Sequence, residues 1–201
     1  MKKLTLLALV VTLISAPAAF AQAKNFAGFS ITLNAENTRT TEEWIGLSKE
    51  SGISDRLGLQ FQYAVAVSDK VVLGAGATFN GGENVVGTFV TPGGTYVDTT
   101  SSRASLDFMP GVAVSKNVLA YGKFSYLTLV GEERGPANFY SRGTARGTGY
   151  GLGMRALFTD NAYLQVAYDV NKYPTFWENT SGALTTNMDS TVFSVGVGYR
   201  F

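Results

Sequence analysis

Strict alternation over residues 191–201, T-V-F-S-V-G-V-G-Y-R-F, constrains this chain more than any other feature. Phe193, Val195, Val197, Tyr199 and Phe201 fall on one parity, and Ser194, Gly196, Gly198 and Arg200 fall on the other. A period of two is a strand with one apolar and one polar face. The apolar parity closes on an aromatic ring. Rings of this kind settle at the headgroup level of a bilayer, so the pattern suits a strand that meets lipid.

The same alternation recurs along the chain. Strands are expected over 25–35, 56–67, 71–80, 103–114, 118–130, 148–158, 162–173 and 191–201. In 56–67, Leu57, Leu59, Phe61, Tyr63, Val65 and Val67 alternate with Gly58, Gln60, Gln62, Ala64 and Ala66. Pro110 interrupts one strand, and since proline cannot donate to a ladder a bulge or local irregularity is expected there. Three connections are tight: Ser68-Asp69-Lys70, Ser115-Lys116-Asn117 and Thr159-Asp160-Asn161. The others, 36–55, 81–102, 131–146 and 174–189, are polar and read as long loops.

Short and long connections therefore alternate along eight strands, with long loops at four places. That is the pattern of an all-β, eight-stranded antiparallel up-and-down transmembrane β-barrel, with three short periplasmic turns and four long extracellular loops. Residues flanking a tight turn must share a face. Val67 with Val71, Val114 with Val118 and Phe158 with Ala162 all do. The register then sets the ambiguous fifth strand, with Tyr121, Lys123 and Ser125 facing away from Phe124 and Tyr126.

Which parity faces inward follows from composition. The polar parity is mostly Gly, Ser, Thr, Gln and Ala, without the dense Lys and Glu of a solvated surface. It suits a narrow bore filled by side chains. A sheet in hydrocarbon must also close to satisfy its backbone. A soluble secreted ligand-binding barrel, apolar inside, is the opposite assignment.

The N-terminus reads as an export signal: Lys2 and Lys3, a short apolar run from Leu4 to Ile14, then small residues to Ala23. Cleavage is expected after Ala23, with Ala21 the alternative, leaving 24–201 as the barrel domain. Losing Lys2 and Lys3 takes the basic residues from 16 to 14 against 15 acidic, a net charge of −1. No basic excess points to nucleic acid. The chain has no Cys, so no disulfide, and no His.

The ending V-G-V-G-Y-R-F, the hairpin R-A-L-F-T-D-N-A-Y-L-Q-V-A-Y and the signal A-F-A-Q-A resemble the small eight-stranded OmpA-like and OmpX-like outer-membrane barrels (porin family) of Gram-negative bacteria. The resemblance spans the mature chain and implies an outer-membrane location. It implies that Phe193, Val195, Val197, Tyr199 and Phe201 form the signal read by the barrel-assembly machinery. Larger OmpA-type proteins carry a peptidoglycan-binding domain after the barrel. The sequence stops at Phe201, so that role is not expected here.

The candidate sites are of two kinds. Asp107, Lys123, Arg155, Asp169 and Arg200 fall on the inward parity with Gln165. Register puts Asp107 opposite Ser125, diagonal to Lys123 and in reach of an ion pair, and Arg155 opposite Gln165. Charges in a narrow bore must be paired, so a structural plug is expected over a gated polar pathway. The exposed loops offer Glu42, Glu43, Trp44, Arg134, Arg142, Arg146, Phe176 and Trp177. Aromatics and arginines favour partner contact, and arginines at the outer rim suit lipopolysaccharide phosphates. Without His or Cys the usual nucleophile–base pairs and transition-metal ligands are missing, so no enzyme, metal or cofactor is expected. The series Gly147, Gly149, Gly151, Gly153 runs along a strand, so it is bore packing and not a nucleotide loop. The expected function is structural or interactive, in a monomer, with a small channel for ions or amphiphiles as the alternative.

Overall fold

The computed structural model describes residues 23–44, 49–174 and 186–201. A 3-10 turn, Ala23–Phe26, leads into eight strands: β1 Gly28–Trp44, β2 Lys49–Ala66, β3 Val71–Thr91, β4 Gly94–Ser115, β5 Val118–Arg134, β6 Tyr140–Leu157, β7 Ala162–Tyr173 and β8 Thr186–Arg200. Each pairs antiparallel with the next, and β8 returns to β1 from Ser30–Arg200 to Trp44–Thr186, closing the barrel. No sheet edge is left where the wall is complete, so every ladder amide there has a partner.

The three tight turns share one local device. Each opens on a hydroxyl residue whose oxygen accepts from the backbone ahead. Ser68 Oγ takes the amides of Lys70 and Val71, Ser115 Oγ that of Asn117, and Thr159 Oγ1 those of Asn161 and Ala162. The side chain supplies the bond that a tighter backbone turn would make itself.

Facing is as the alternation requires. Leu59, Tyr168 and Val197 are exposed on the outside, Gln62 and Arg155 are buried within, and Lys123 is partly buried there. The outward apolar band runs from the turn rim up to Ala35 on β1, Leu57 on β2, Phe79 on β3, Tyr126 on β5, Tyr150 on β6 and Phe193 on β8. Phe193, Val195, Val197, Tyr199 and Phe201 all face outward, and the Phe201 ring packs on Tyr199 and Phe29.

Three expectations change. Of the segments read as long loops, 36–55, 81–102 and 131–146 are mostly strand among the described residues. β3 and β4 reach a turn at Pro92 and Gly93, and β5 and β6 are joined only across 135–139 by the 3-10 turn Pro136–Asn138. Above the apolar band on β1 both faces are polar, at Thr38, Arg39, Thr40 and Thr41, so alternation disappears while the ladder continues. Residues 25–26 belong to the 3-10 turn, and β1 begins at Gly28. At Pro110 the expected irregularity takes the form of a local gap in pairing to β5 and not of a bulge. The register on both sides of it is continuous, and the register shifts lie at Gly81–Gly87, Thr100–Ser102 and Ala113–Ser115. Pro110 is opposite Leu73 on β3, and Met109 and Pro110 are not paired to β5, so the missing N–H costs no ladder bond there.

The far part of the wall is split. The β2–β3 ladder stops at Leu57–Gly81 and the β6–β7 ladder at Thr148–Lys172. Beyond these points β3–β4–β5–β6 form one sheet, and β8–β1–β2 form another. The sheets still touch. A Cβ on Gly52 of β2 would stand 2.7 Å from the Val85 carbonyl oxygen of β3, so only glycine fits that approach.

Candidate functional site

The bore is filled in layers. At the turn rim the Ala23–Phe26 turn enters the mouth. Ala23 and Phe26 are buried against Val72, Met109, Leu119, Tyr121 and Tyr163. The Ala23 amide donates to the Asp69 carbonyl (3.0 Å), and the Asn25 side chain donates to the Lys116 carbonyl (2.9 Å). Arg200 donates to the carbonyls of Ala27 and Asp160. The N-terminal segment is thus tied to all three turns.

Above this layer lies Arg155, 3% exposed. Its guanidinium donates to Gln62 Oε1 (2.7 Å) on β2 and to Gln165 Oε1 (2.6 Å) on β7, and it lies 4.2 Å from the Tyr163 ring centroid. Gln165 donates onward to Gln60 Oε1 (3.1 Å). No carboxylate touches the cation among the described residues. Amide oxygens and aromatic faces hold it instead. The expected Arg155–Gln165 pairing is present, and Gln60 and Gln62 complete it.

The next layer corrects an expectation. Lys123 does not bridge to Asp107. It pairs with Asp169 (2.5 Å), while Asp107 accepts from Thr78 Oγ1 (2.7 Å) and Ser125 Oγ (2.6 Å). Gly151 of β6 explains the choice. It is opposite Lys123 on one side and Asp169 on the other. With no side chain in between, the ammonium reaches across. Two more glycines of β6 act alike, since a Cβ at Gly153 would enter the Tyr121 ring and one at Gly147 the Tyr173 ring.

Two further layers went unrecognised in the sequence. Arg103 pairs with Glu36 and donates to Asn80, and Arg56 donates to Thr100. These residues stood at or beyond the ends assigned to their strands. Continuing the parity of β1, β2 and β4 would have turned them inward. Above them Val86, Leu127, Leu129, Ala145, Tyr173 and Met188 form an apolar cluster. At its top Glu42 and Asp98 are each 0% exposed. Burial, then the neighbouring Asp98 carboxyl, pushes Glu42 well above the usual carboxylate range. Burial, then Glu133, pushes Asp98 up as well. Burial also raises Glu133.

The outer arginines are unequal. Arg134 pairs with Glu83 (2.9 Å) and Glu132 (3.2 Å), and Arg142 lies 3.8 Å from Glu132. Arg146 is exposed, and its guanidinium has no polar partner among the described residues. Trp44 ends β1 opposite Thr186. Phe176, Trp177 and the export segment 1–22 lie outside the described residues.

Comparisons follow the geometry. The attachment invasion locus protein Ail of Yersinia pestis superposes with a TM-score of 0.56 at 13% identity, over 87% of this chain and 99% of that one. The Neisserial surface protein A gives 0.58 at 14%, over 87% and 98%. These likenesses are of fold. Among curated protein sequences none matches. The family model for the outer membrane protein beta-barrel domain matches residues 6–201, and the chain belongs to that family of outer-membrane barrels.

Proposed function

We propose that this protein is a non-catalytic outer-membrane barrel with a closed bore, acting in the envelope through its wall and its extracellular extension. The observation that carries the reading is Arg155. Its guanidinium crosses the bore from β6 to Gln62 on β2, and Gln165 continues the bridge to Gln60. Eight strands leave an interior just wide enough for side chains, and this bridge fills it. Without histidine a serine or threonine here also lacks its usual general base. Purified protein in planar bilayers is expected to give no stable conductance. A steady conductance of defined size would sink the closed-bore reading in favour of a small channel.

Two contacts belong to the same reading. Arg142, Arg146 and Lys172 lie on the outward face just above Tyr150 and Val170, where lipopolysaccharide phosphates sit beside a barrel. Arg146→Ala with Lys172→Ala should lower lipopolysaccharide co-purification, and an unchanged amount removes that contact. The outward ladder from Phe193 to Phe201 suits recognition by the assembly machinery. Phe201→Ala should slow assisted insertion while leaving spontaneous folding in detergent intact.

A further inference from the structure

Glu42 and Asp98 present a problem that the layers below them do not. Both side chains are 0% exposed, and all four carboxylate oxygens lack a donor. Among the described residues the surroundings supply no cation. On β1 the group is Glu42 itself, and on β2 Glu50 stands opposite it in the ladder. On β3 the inward neighbour is Val86, beside Gly87, the ladder partner of Asp98. On β4 Thr100 lies two residues below Asp98 and holds Arg56. On β5 Glu133 is opposite Asp98. β6 offers Ala145, β7 Tyr173, and β8 Met188, which pairs with Glu42. Arg103 is engaged by Glu36 below, while Arg134 and Arg142 are held on the outer face by Glu83 and Glu132.

Two carboxylates enclosed together without a cation cannot both carry charge, because desolvation and mutual repulsion each cost several kcal/mol. Something must take up one charge. A divalent ion is the poorer candidate, since no three acidic side chains among the described residues converge at ligating distance. A proton suffices, because the protonated carboxyl becomes the donor that the other lacks.

We propose that Glu42 and Asp98 share a proton and so latch the two halves of the split extracellular wall over the apolar cluster beneath them, and that loss of this proton releases the latch. The pair is placed to do this. Glu42 belongs to the β8–β1–β2 sheet and Asp98 to the β3–β6 sheet, so their contact crosses the split. The upward shift of both groups agrees with a retained proton. What becomes accessible is the packed apolar cluster of Val86, Leu127, Leu129, Tyr173 and Met188. The Arg155 bridge lies deeper, so the latch can fail while the closed bore stands, and the reverse.

The test uses the full barrel in nanodiscs. Carboxyl 13C resonances are followed with pH in wild type, Glu42→Gln and Asp98→Asn. Glu42 is expected to titrate near about 9. A midpoint in the ordinary range of about 4 would overturn the proposal. Access to this cluster is read with a charged methanethiosulfonate on Val86→Cys, normalised to Val90→Cys on the exposed hairpin tip, in a chain that has no cysteine of its own. The normalised rate should climb by up to about ten-fold per pH unit as the proton leaves. In Glu42→Gln the amide donates to Asp98 at every pH, so the rate should stay flat. An equal climb in that variant, or a Glu42 midpoint lowered by calcium ions, would overturn the shared-proton latch.

Discussion

Arg155 is an arginine in a place where pairing with acid is the usual answer, and no acid is there. A guanidinium has five donors and stays charged, so oxygen atoms must surround it. Gln62 and Gln165 supply them, and Tyr163 covers one face. Arg155→Met should therefore leave two buried amides short of donors and cost about 2–4 kcal/mol, read as a lower urea midpoint in lipid vesicles. Arg155→Lys should recover only part, because an ammonium lacks the fork that spans both glutamines. At this scale the sequence was informative about facing and less so about partners. Arg155–Gln165 followed from hairpin register alone. Lys123–Asp169 did not, because it depends on a bare glycine between two strands that no single hairpin places. Glu36, Arg56 and Arg103 were missed because parity was not carried past the apolar band.

At the scale of elements, the turns and ladders divide the work of setting register. Each tight turn has a hydroxyl holding its backbone, and Thr159 Oγ1 serves two amides, one of them at 2.8 Å. Thr159→Ala should cost about 0.5–1.5 kcal/mol by equilibrium unfolding, without moving the β6–β7 register, which inward Gln165 and outward Leu164 fix independently. Turn positions and pairings were readable because alternation and turn chemistry agreed there. Strand ends were not. A strand reads as a strand when its faces differ, and above the band on β1 both faces carry residues such as Thr38, Arg39, Thr40 and Thr41.

For the whole molecule, the charge arrangement sets a dependence on pH. Glu42 rises from an ordinary 4.5 to about 9 in the folded protein. A raised folded value means that the unfolded chain releases its proton first as pH climbs. The contribution is complete below about 4.5, declines through neutrality, and is spent once pH passes about 9. The urea midpoint is accordingly expected to fall between mildly acidic and alkaline buffer, and to fall less in Glu42→Gln. A midpoint that rose over that range would contradict the sign.

The stopper at the turn-side mouth bears on how the polypeptide is matured. Ala23 is 1% exposed, and its amide is bonded to Asp69. Hydrolysis after Ala23 would discard that methyl group and amide, and would set a fresh α-ammonium charge at Lys24, next to the apolar seat left behind. Hydrolysis after Ala21 keeps both and places the new charge on Gln22, one residue before Ala23. Intact-mass measurement of the protein from purified envelopes is expected to give a first residue of Gln22. A mass beginning at Lys24 would mean that Phe26 alone seals the mouth.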